Sequence, residues 1–310
     1  MLGSKRRLAD THRARRAFAA NALRPARYAP PPALTRRVRL AVHHVEGWPV
    51  YEITPAKTQP GRTVVYWHGG AYVNEIMAVH WWFLSALAAQ TQTRVIVPIY
   101  PLGAALGASR VVHTSTSIAR HFMDEYGSAE TILMGDSAGG GLALAVAQQL
   151  RTPDVTAAGL VLISPWLDAE LSDPRQPQLE PKDAMLGIAG LREAARQYAD
   201  GLPLAHRLVS PINGNAAGLP PVTIFTSTAD LLSPDSYRFA AACAAVGTPC
   251  QVLTTPGALH VFPVLPTPEG RAARAIIGEV LTTTGSAGTS ASPGSDQSAR
   301  KQRHHDALMQ

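Results

Sequence analysis

A serine stands at the centre of Gly135-Asp136-Ser137-Ala138-Gly139, directly after the apolar run Thr131 to Met134 and before Gly141 to Leu150, a stretch of helical composition. A serine on so sharp a strand-to-helix turn carries strained backbone angles, and small residues two positions to either side let strand and helix approach closely. Its hydroxyl is then pushed out where a base can reach it, as a nucleophile requires. A phosphate-binding loop would instead need a lysine or a second glycine cluster, and the segment has neither. Serine attack on a carbonyl creates an oxyanion that backbone N–H groups must meet, one from the residue after the serine and others from an earlier strand-end loop. Ala138 supplies the first. His68-Gly69-Gly70-Ala71-Tyr72, after the run ending at Trp67, is the second source, and His68 is read as support for that loop rather than as the base.

The base should be a histidine on a late strand-end loop, with an earlier carboxylate to hold its tautomer. His260 follows the run Cys250 to Leu253 by a Pro256-Gly257 turn, and Asp230 closes the run Val222 to Ala229. Asp235 competes, but Ser233-Pro234-Asp235 reads as helix cap, first-turn proline and first-turn acid, which explains it without catalysis. Among the other histidines, His80 lies beside Trp81-Trp82 and His206 in an insert, and neither follows a late strand.

The elements that must position these residues alternate β-branched runs with Ala/Leu-rich helical stretches, the pattern of a mainly parallel sheet covered on both faces. Runs at 63–67, 94–100, 131–134, 159–163, 222–226 and 250–253 are nearly continuous apolar strands, which implies burial on both sides. Val38 to Val45 and Val50 to Thr54 flank Glu46-Gly47-Trp48-Pro49 as an antiparallel edge hairpin. The wide gap from Ile163 to Val222 holds Asp183 to Tyr198, helical in pattern, and predicts a lid. Residues 282–310 collapse into Ser, Thr, Gly and charge and read as a disordered tail.

Composition removes whole classes. Of 310 residues, 46% are hydrophobic and 16% charged, so the chain is neither a polyelectrolyte nor a membrane protein, and two cysteines exclude a disulfide scaffold. Cys243 and Cys250 read as free core residues. The net charge of +6 invites a nucleic-acid reading, but residues 1–40 alone carry +10, which leaves −4 on the remaining 270. That basic leader holds only Phe18 and Tyr28 as aromatics for base stacking and has no apolar signal core. No nucleic-acid partner, metal or cofactor is expected, and a cytoplasmic location is. Peripheral contact of residues 1–40 with an anionic membrane is the membrane role left open, as is the oligomeric state.

Taken together, His68-Gly69-Gly70-Ala71-Tyr72, Gly135-Asp136-Ser137-Ala138-Gly139-Gly140, Ser164-Pro165-Trp166-Leu167-Asp168, Leu219-Pro220-Pro221, Asp230 and His260-Val261-Phe262 resemble the hormone-sensitive-lipase-like esterases of the α/β-hydrolase fold. The resemblance spans about 63 to 280. It implies an eight-stranded, mostly parallel sheet flanked by helices, and a helical cap made of residues 1–45, which also hold the first edge strand, and an insert near 169–210 of the core 46–281. It also implies hydrolysis of short- to medium-chain acyl esters without a cofactor, by Ser137, His260 and Asp230, with the N–H groups of Gly69, Gly70, Ala71 and Ala138 as the oxyanion hole. Tyr72, Trp81 and Trp82 are candidates for the pocket wall. Three departures stand out: Ala71 replaces a third glycine, the aspartate segment Asp230 to Asp235 is one residue longer, and Tyr100-Pro101-Leu102-Gly103 lacks the charged residues usual there, so this loop must be held differently. A non-catalytic ligand-binding relic, a lipase and an acyltransferase remain the alternatives.

Overall fold

All six apolar runs become strands in the computed structural model, which describes residues 4–24, 26–103, 105–151 and 156–283. The strands are β1 Val38–Val45, β2 Trp48–Pro55, β3 Arg62–Trp67, β4 Thr93–Pro98, β5 Thr131–Asp136, β6 Gly159–Ile163, β7 Val222–Ser227 and β8 Cys250–Thr255. They form one sheet in the order β1-β2-β4-β3-β5-β6-β7-β8. β1 and β2 run antiparallel at one edge, and every pairing from β4 to β8 is parallel.

Burial follows position. β5 and β6 are buried at every residue, as central strands of a sheet covered on both faces are, whereas β8 at the far edge is half exposed. The 250–253 run is therefore an edge strand and not a doubly covered one. The hairpin is tighter than the sequence suggested. Val45 pairs with Trp48, so the turn is Glu46-Gly47 alone, both at positive φ, and Pro49 belongs to β2.

Helices α1 Ser4–Leu8, α2 Thr11–Leu23, α3 Ala78–Thr91, α4 Ala108–Tyr126, α5 Ala138–Leu150, α6 Gln176–Leu179, α7 Ile188–Ala199, α8 Ser233–Ala245 and α9 Pro268–Thr283 complete the described chain. α9 carries the helix through Thr283, past the expected start of the tail, and the rest of that tail lies outside the described residues.

The leader and the insert meet as one cap. Asp10 caps α2 by accepting the Arg13 N–H at 2.8 Å, and α2 then buries Ala14 and Phe18, one turn apart. α1 and α2 both pack on α7 of the insert. The join is close: a Cβ added to Gly190 would meet the Leu8 Cα at 2.5 Å. Arg15 reaches across to Glu193 at 2.9 Å. The part of the basic leader formed by α1 and α2 is therefore a folded element of the cap, because it has an apolar stripe to bury and an acid to face.

Candidate active site

Ser137 stands on the sharp turn between β5 and α5. Ser137 has φ 52° and ψ −120°, in the positive-φ region disfavoured for a residue with a Cβ. Close packing around it explains the glycines. A Cβ on Gly139 would meet the Trp67 carbonyl oxygen at 2.1 Å, and one on Gly135 the Gly139 carbonyl oxygen at 2.2 Å.

Ser137, His260 and Asp230, 123 and 30 residues apart along the chain, come together in one hydrogen-bonded line. His260 Nε2 lies 2.9 Å from Ser137 Oγ, and His260 Nδ1 lies 2.9 Å from Asp230 Oδ2. With the neutral tautomer that this pairing selects, Nδ1–H donates to the carboxylate and Nε2 accepts from the hydroxyl. Asp230 Oδ1 accepts the Leu232 N–H at 2.9 Å. Burial opposes charge on Asp230, yet the His260 charge, its hydrogen bond and the Leu232 N–H together hold the carboxyl below its ordinary range. Burial pulls His260 downward, but Asp230 first, then Asp183 and Asp136, outweigh it and raise the imidazole above its ordinary 6.5.

The His68–Tyr72 loop lies against Ser137 with an unusual backbone: Gly70, Ala71 and Tyr72 have φ of 135°, 54° and 60°. Among the described residues no protein acceptor meets the N–H of Gly70, Ala71 or Ala138. Gly69 is a correction. Its N–H donates to Asp136 Oδ1 at 2.7 Å and so is spent inside the protein. The reason is the buried Asp136 carboxylate, which collects the Tyr66 hydroxyl at 2.6 Å and His80 Nε2 at 3.3 Å as well. Burial works against this charge, but His80, Tyr66 and the Gly69 N–H keep the carboxyl below its usual range. His80 Nδ1 accepts the Met77 N–H at 3.1 Å, which leaves the proton on Nε2 for Asp136.

His68 packs beside this loop. It is buried and stacks on Tyr100 with ring centroids 4.4 Å apart, and its Nδ1–H donates to the Gly69 carbonyl at 2.7 Å. Burial lowers it to about 4, so it stays neutral. Tyr100 also donates to the His68 carbonyl at 2.7 Å, and the Gly103 N–H to the Tyr72 carbonyl at 2.6 Å. These bonds hold the 100–103 loop without the charges it lacks.

A cavity of about 450 Å³ opens over Ser137 and His260, walled by Leu8 and Phe18 of the leader, Val73 and Met77 beside the glycine loop, and Met185 and Leu191 of the insert. The three expected aromatic wall residues are absent from it. Tyr72 donates to the Ala138 carbonyl at 2.7 Å and stacks on Tyr198 at 3.6 Å, so it fastens the glycine loop to α5 and α7. Trp81 is buried under Tyr51, donating to the Tyr28 carbonyl at 3.0 Å, and Trp82 faces outward, 50% exposed. Successive helix positions point about 100° apart, so two adjacent tryptophans could not share a wall.

His80, Asp136 and Ser164 escaped the sequence reading as functional positions. Ser164 Oγ accepts the Val261 N–H at 3.1 Å beside His260, and its hydroxyl also steadies Asp230. The aspartate inside the serine pentapeptide was the available signal for Asp136; His80, on an ordinary helix, left none. Among the described residues no group of three or more His, Cys, Asp or Glu could hold a metal ion, and no helix is long and apolar enough to cross a membrane.

The sequence and the fold are similar to those of known proteins. A family model described as the alpha/beta hydrolase fold matches residues 64–264. The chain belongs to the α/β-hydrolase-fold family. Within it, the hydrolase is 33% identical over 239 residues to an acetyl-hydrolase of Streptomyces hygroscopicus, covering 74% of this chain and 78% of that one. It is 31% identical over 245 residues to a triacylglycerol lipase of Mycobacterium tuberculosis, covering 78% of this chain but 51% of the lipase, so it spans about half the length of that relative. An esterase candidate from Staphylococcus aureus superposes with a TM-score of 0.81 at 27% identity, covering 86% and 92% of the two chains. A bacterial esterase of the hormone-sensitive lipase family shares the fold at 24% identity, with a TM-score of 0.75 over 89% of this chain and 90% of that one. The family match and the esterase and acetyl-hydrolase relatives together assign the chain to carboxylic ester hydrolases of the α/β-hydrolase fold.

Proposed function

We propose that the hydrolase cleaves short- to medium-chain acyl esters by a serine mechanism with an acyl-enzyme intermediate. The observation that carries this reading is the Ser137–His260–Asp230 line, with both spacings at 2.9 Å, facing an apolar cavity. Ser137 Oγ attacks the ester carbonyl carbon while its proton passes to His260 Nε2. The C–O bond to the alcohol then breaks, and His260 returns the proton to the leaving oxygen. Water repeats the sequence in reverse and frees the acid. Gly70, Ala71 and Ala138 offer N–H groups to the oxyanion, while Asp136 and His80 keep the glycine loop in place through Gly69.

Enclosure supports the acyl-length part. Leader and insert both wall the cavity, and each added methylene gains about 0.8 kcal/mol only while it finds apolar surface. Across aryl esters from acetate to palmitate, kcat/KM should therefore peak at roughly two to eight carbons and then decline. The triacylglycerol lipase relative favours a second reading, in which anionic lipid displaces the leader and long chains enter. Palmitoyl esters as the best substrates, with a several-fold rise on anionic vesicles, would replace the short-chain reading by the lipase one.

A further inference from the structure

Asp183 lies in the insert, away from Ser137 along the chain, yet it is tied to the triad through backbone. It is 2% exposed. Its Oδ1 accepts the N–H groups of Met185 at 2.8 Å and Leu186 at 2.9 Å, two residues of the cavity wall. Its Oδ2 accepts the Leu231 N–H at 2.8 Å, and Leu231 directly follows Asp230. One carboxylate thus joins the cap, the acyl cavity and the loop that presents the catalytic acid.

The same turn is clamped from the leader. Lys5 of α1 donates its Nζ to the backbone carbonyls of Glu180 and Asp183, and Glu180 Oε1 accepts the Ile188 N–H at the start of α7 at 2.8 Å. A buried carboxylate with three N–H donors is a stiff joint, because displacing it leaves both a charge and donors without partners. Asp230 after β7 touches His260, and the charges of Asp183 from the insert and Asp136 at the end of β5 also favour its protonated form. From α9, Arg274 spends its guanidinium on the carbonyls of Pro263 and Leu265 instead.

Resting on the serine-esterase reading above, we infer that Asp183 is a positioning residue through which the seated cap assembles the triad. With the insert docked, Asp183 holds Leu231, hence Asp230, and adds negative charge facing the imidazolium formed when Ser137 attacks. When the insert moves away, both contributions leave with it. Catalytic competence is thereby coupled to closure over the acyl group, and Lys5 sets how firmly the cap stays closed.

The test is Asp183→Asn, with kcat counted per site titrated by a fluorophosphonate. The amide keeps one oxygen for Met185 and Leu186 but turns an N–H₂ toward the Leu231 N–H. On a butyrate aryl ester, kcat should fall about ten-fold or more with KM changed less than three-fold, since misplacement rather than binding is the loss. The acidic limb of kcat/KM should also move to lower pH, because one of three anions around His260 is gone. Lys5→Met should move kcat in the same direction by less, and the double variant should lose less than the two effects multiplied. If Asp183→Asn does not fold, Lys5→Met carries the test through its kcat and its limb. A lowered melting temperature with kcat per titrated site and the limb both at wild-type values would overturn the proposal, leaving Asp183 a structural joint. Wild-type protein that hydrolyses no ester would instead overturn the underlying esterase reading, and the proposal with it.

Discussion

Asp230 and Asp235 stand five residues apart on one loop and helix start, and both are completely buried, yet they are held in opposite ways. Asp230 has His260 to itself, with the Leu232 N–H and the Ser164 hydroxyl behind it, and stays ionised despite its burial. Asp235 takes the Gln176 amide at 3.0 Å and must share Arg238 with Asp168, at 2.7 and 3.0 Å. Burial, then the charge of Asp168, pushes it up to about 7. Equal burial thus gives an anion in one place and an acid near neutrality in the other. What differs is the like charge of Asp168 beside Asp235, against the imidazole and donors that Asp230 has to itself.

The contrast predicts a steep ranking of variants. Asp230→Asn should leave the fold intact but present the wrong imidazole tautomer, costing about 10⁴ in kcat by analogy with serine proteases. In the wild type, kcat/KM should rise with pH as His260 loses its proton, with the midpoint above the ordinary histidine value of 6.5 because His260 is raised. His80→Leu comes next. It removes one partner of the Asp136 carboxylate that anchors Gly69, and kcat should fall about ten-fold, less than the loss of an oxyanion donor itself, with KM nearly constant.

Asp235→Asn should change kcat/KM least, within about three-fold. Its signature is in stability. Between the ordinary carboxyl value of 3.8 and about 7, the folded protein keeps a proton on Asp235 that the unfolded chain has released. The contribution of Asp235 to stability is therefore full below about pH 4 and is lost as pH rises toward 7. Melting curves across that window should show a slope that Asp235→Asn flattens. A larger activity loss in Asp235→Asn than in Asp230→Asn would reverse the two assignments.

The sheet was legible because its inner strands must be apolar on both faces, a demand that leaves long runs such as Gly159 to Ile163. The serine elbow was legible because only small residues fit at 135 and 139. Asp235 was legible in position but not in consequence: its place at the start of α8 matches a first-turn acid, while its burial depends on Asp168 and Gln176, far away in the chain. The same holds for Gly69, whose place in the glycine loop suggests an oxyanion donor while its N–H goes to Asp136, 67 residues on. Nor could spacing show that Trp81 faces the core while Trp82 faces out, since that depends on which side of α3 meets the sheet. Long-range polar partners, unlike hydrophobic periods, leave no regular trace along a sequence.

The most direct measurement is active-site labelling with a fluorophosphonate, read by mass spectrometry of the full chain and its peptides. One adduct per chain is expected, on the peptide holding Ser137, absent from Ser137→Ala and formed far more slowly in Asp230→Asn but near the wild-type rate in Asp235→Asn. An adduct that persists in Ser137→Ala, or labelling of Asp230→Asn at the wild-type rate, would contradict the catalytic assignment.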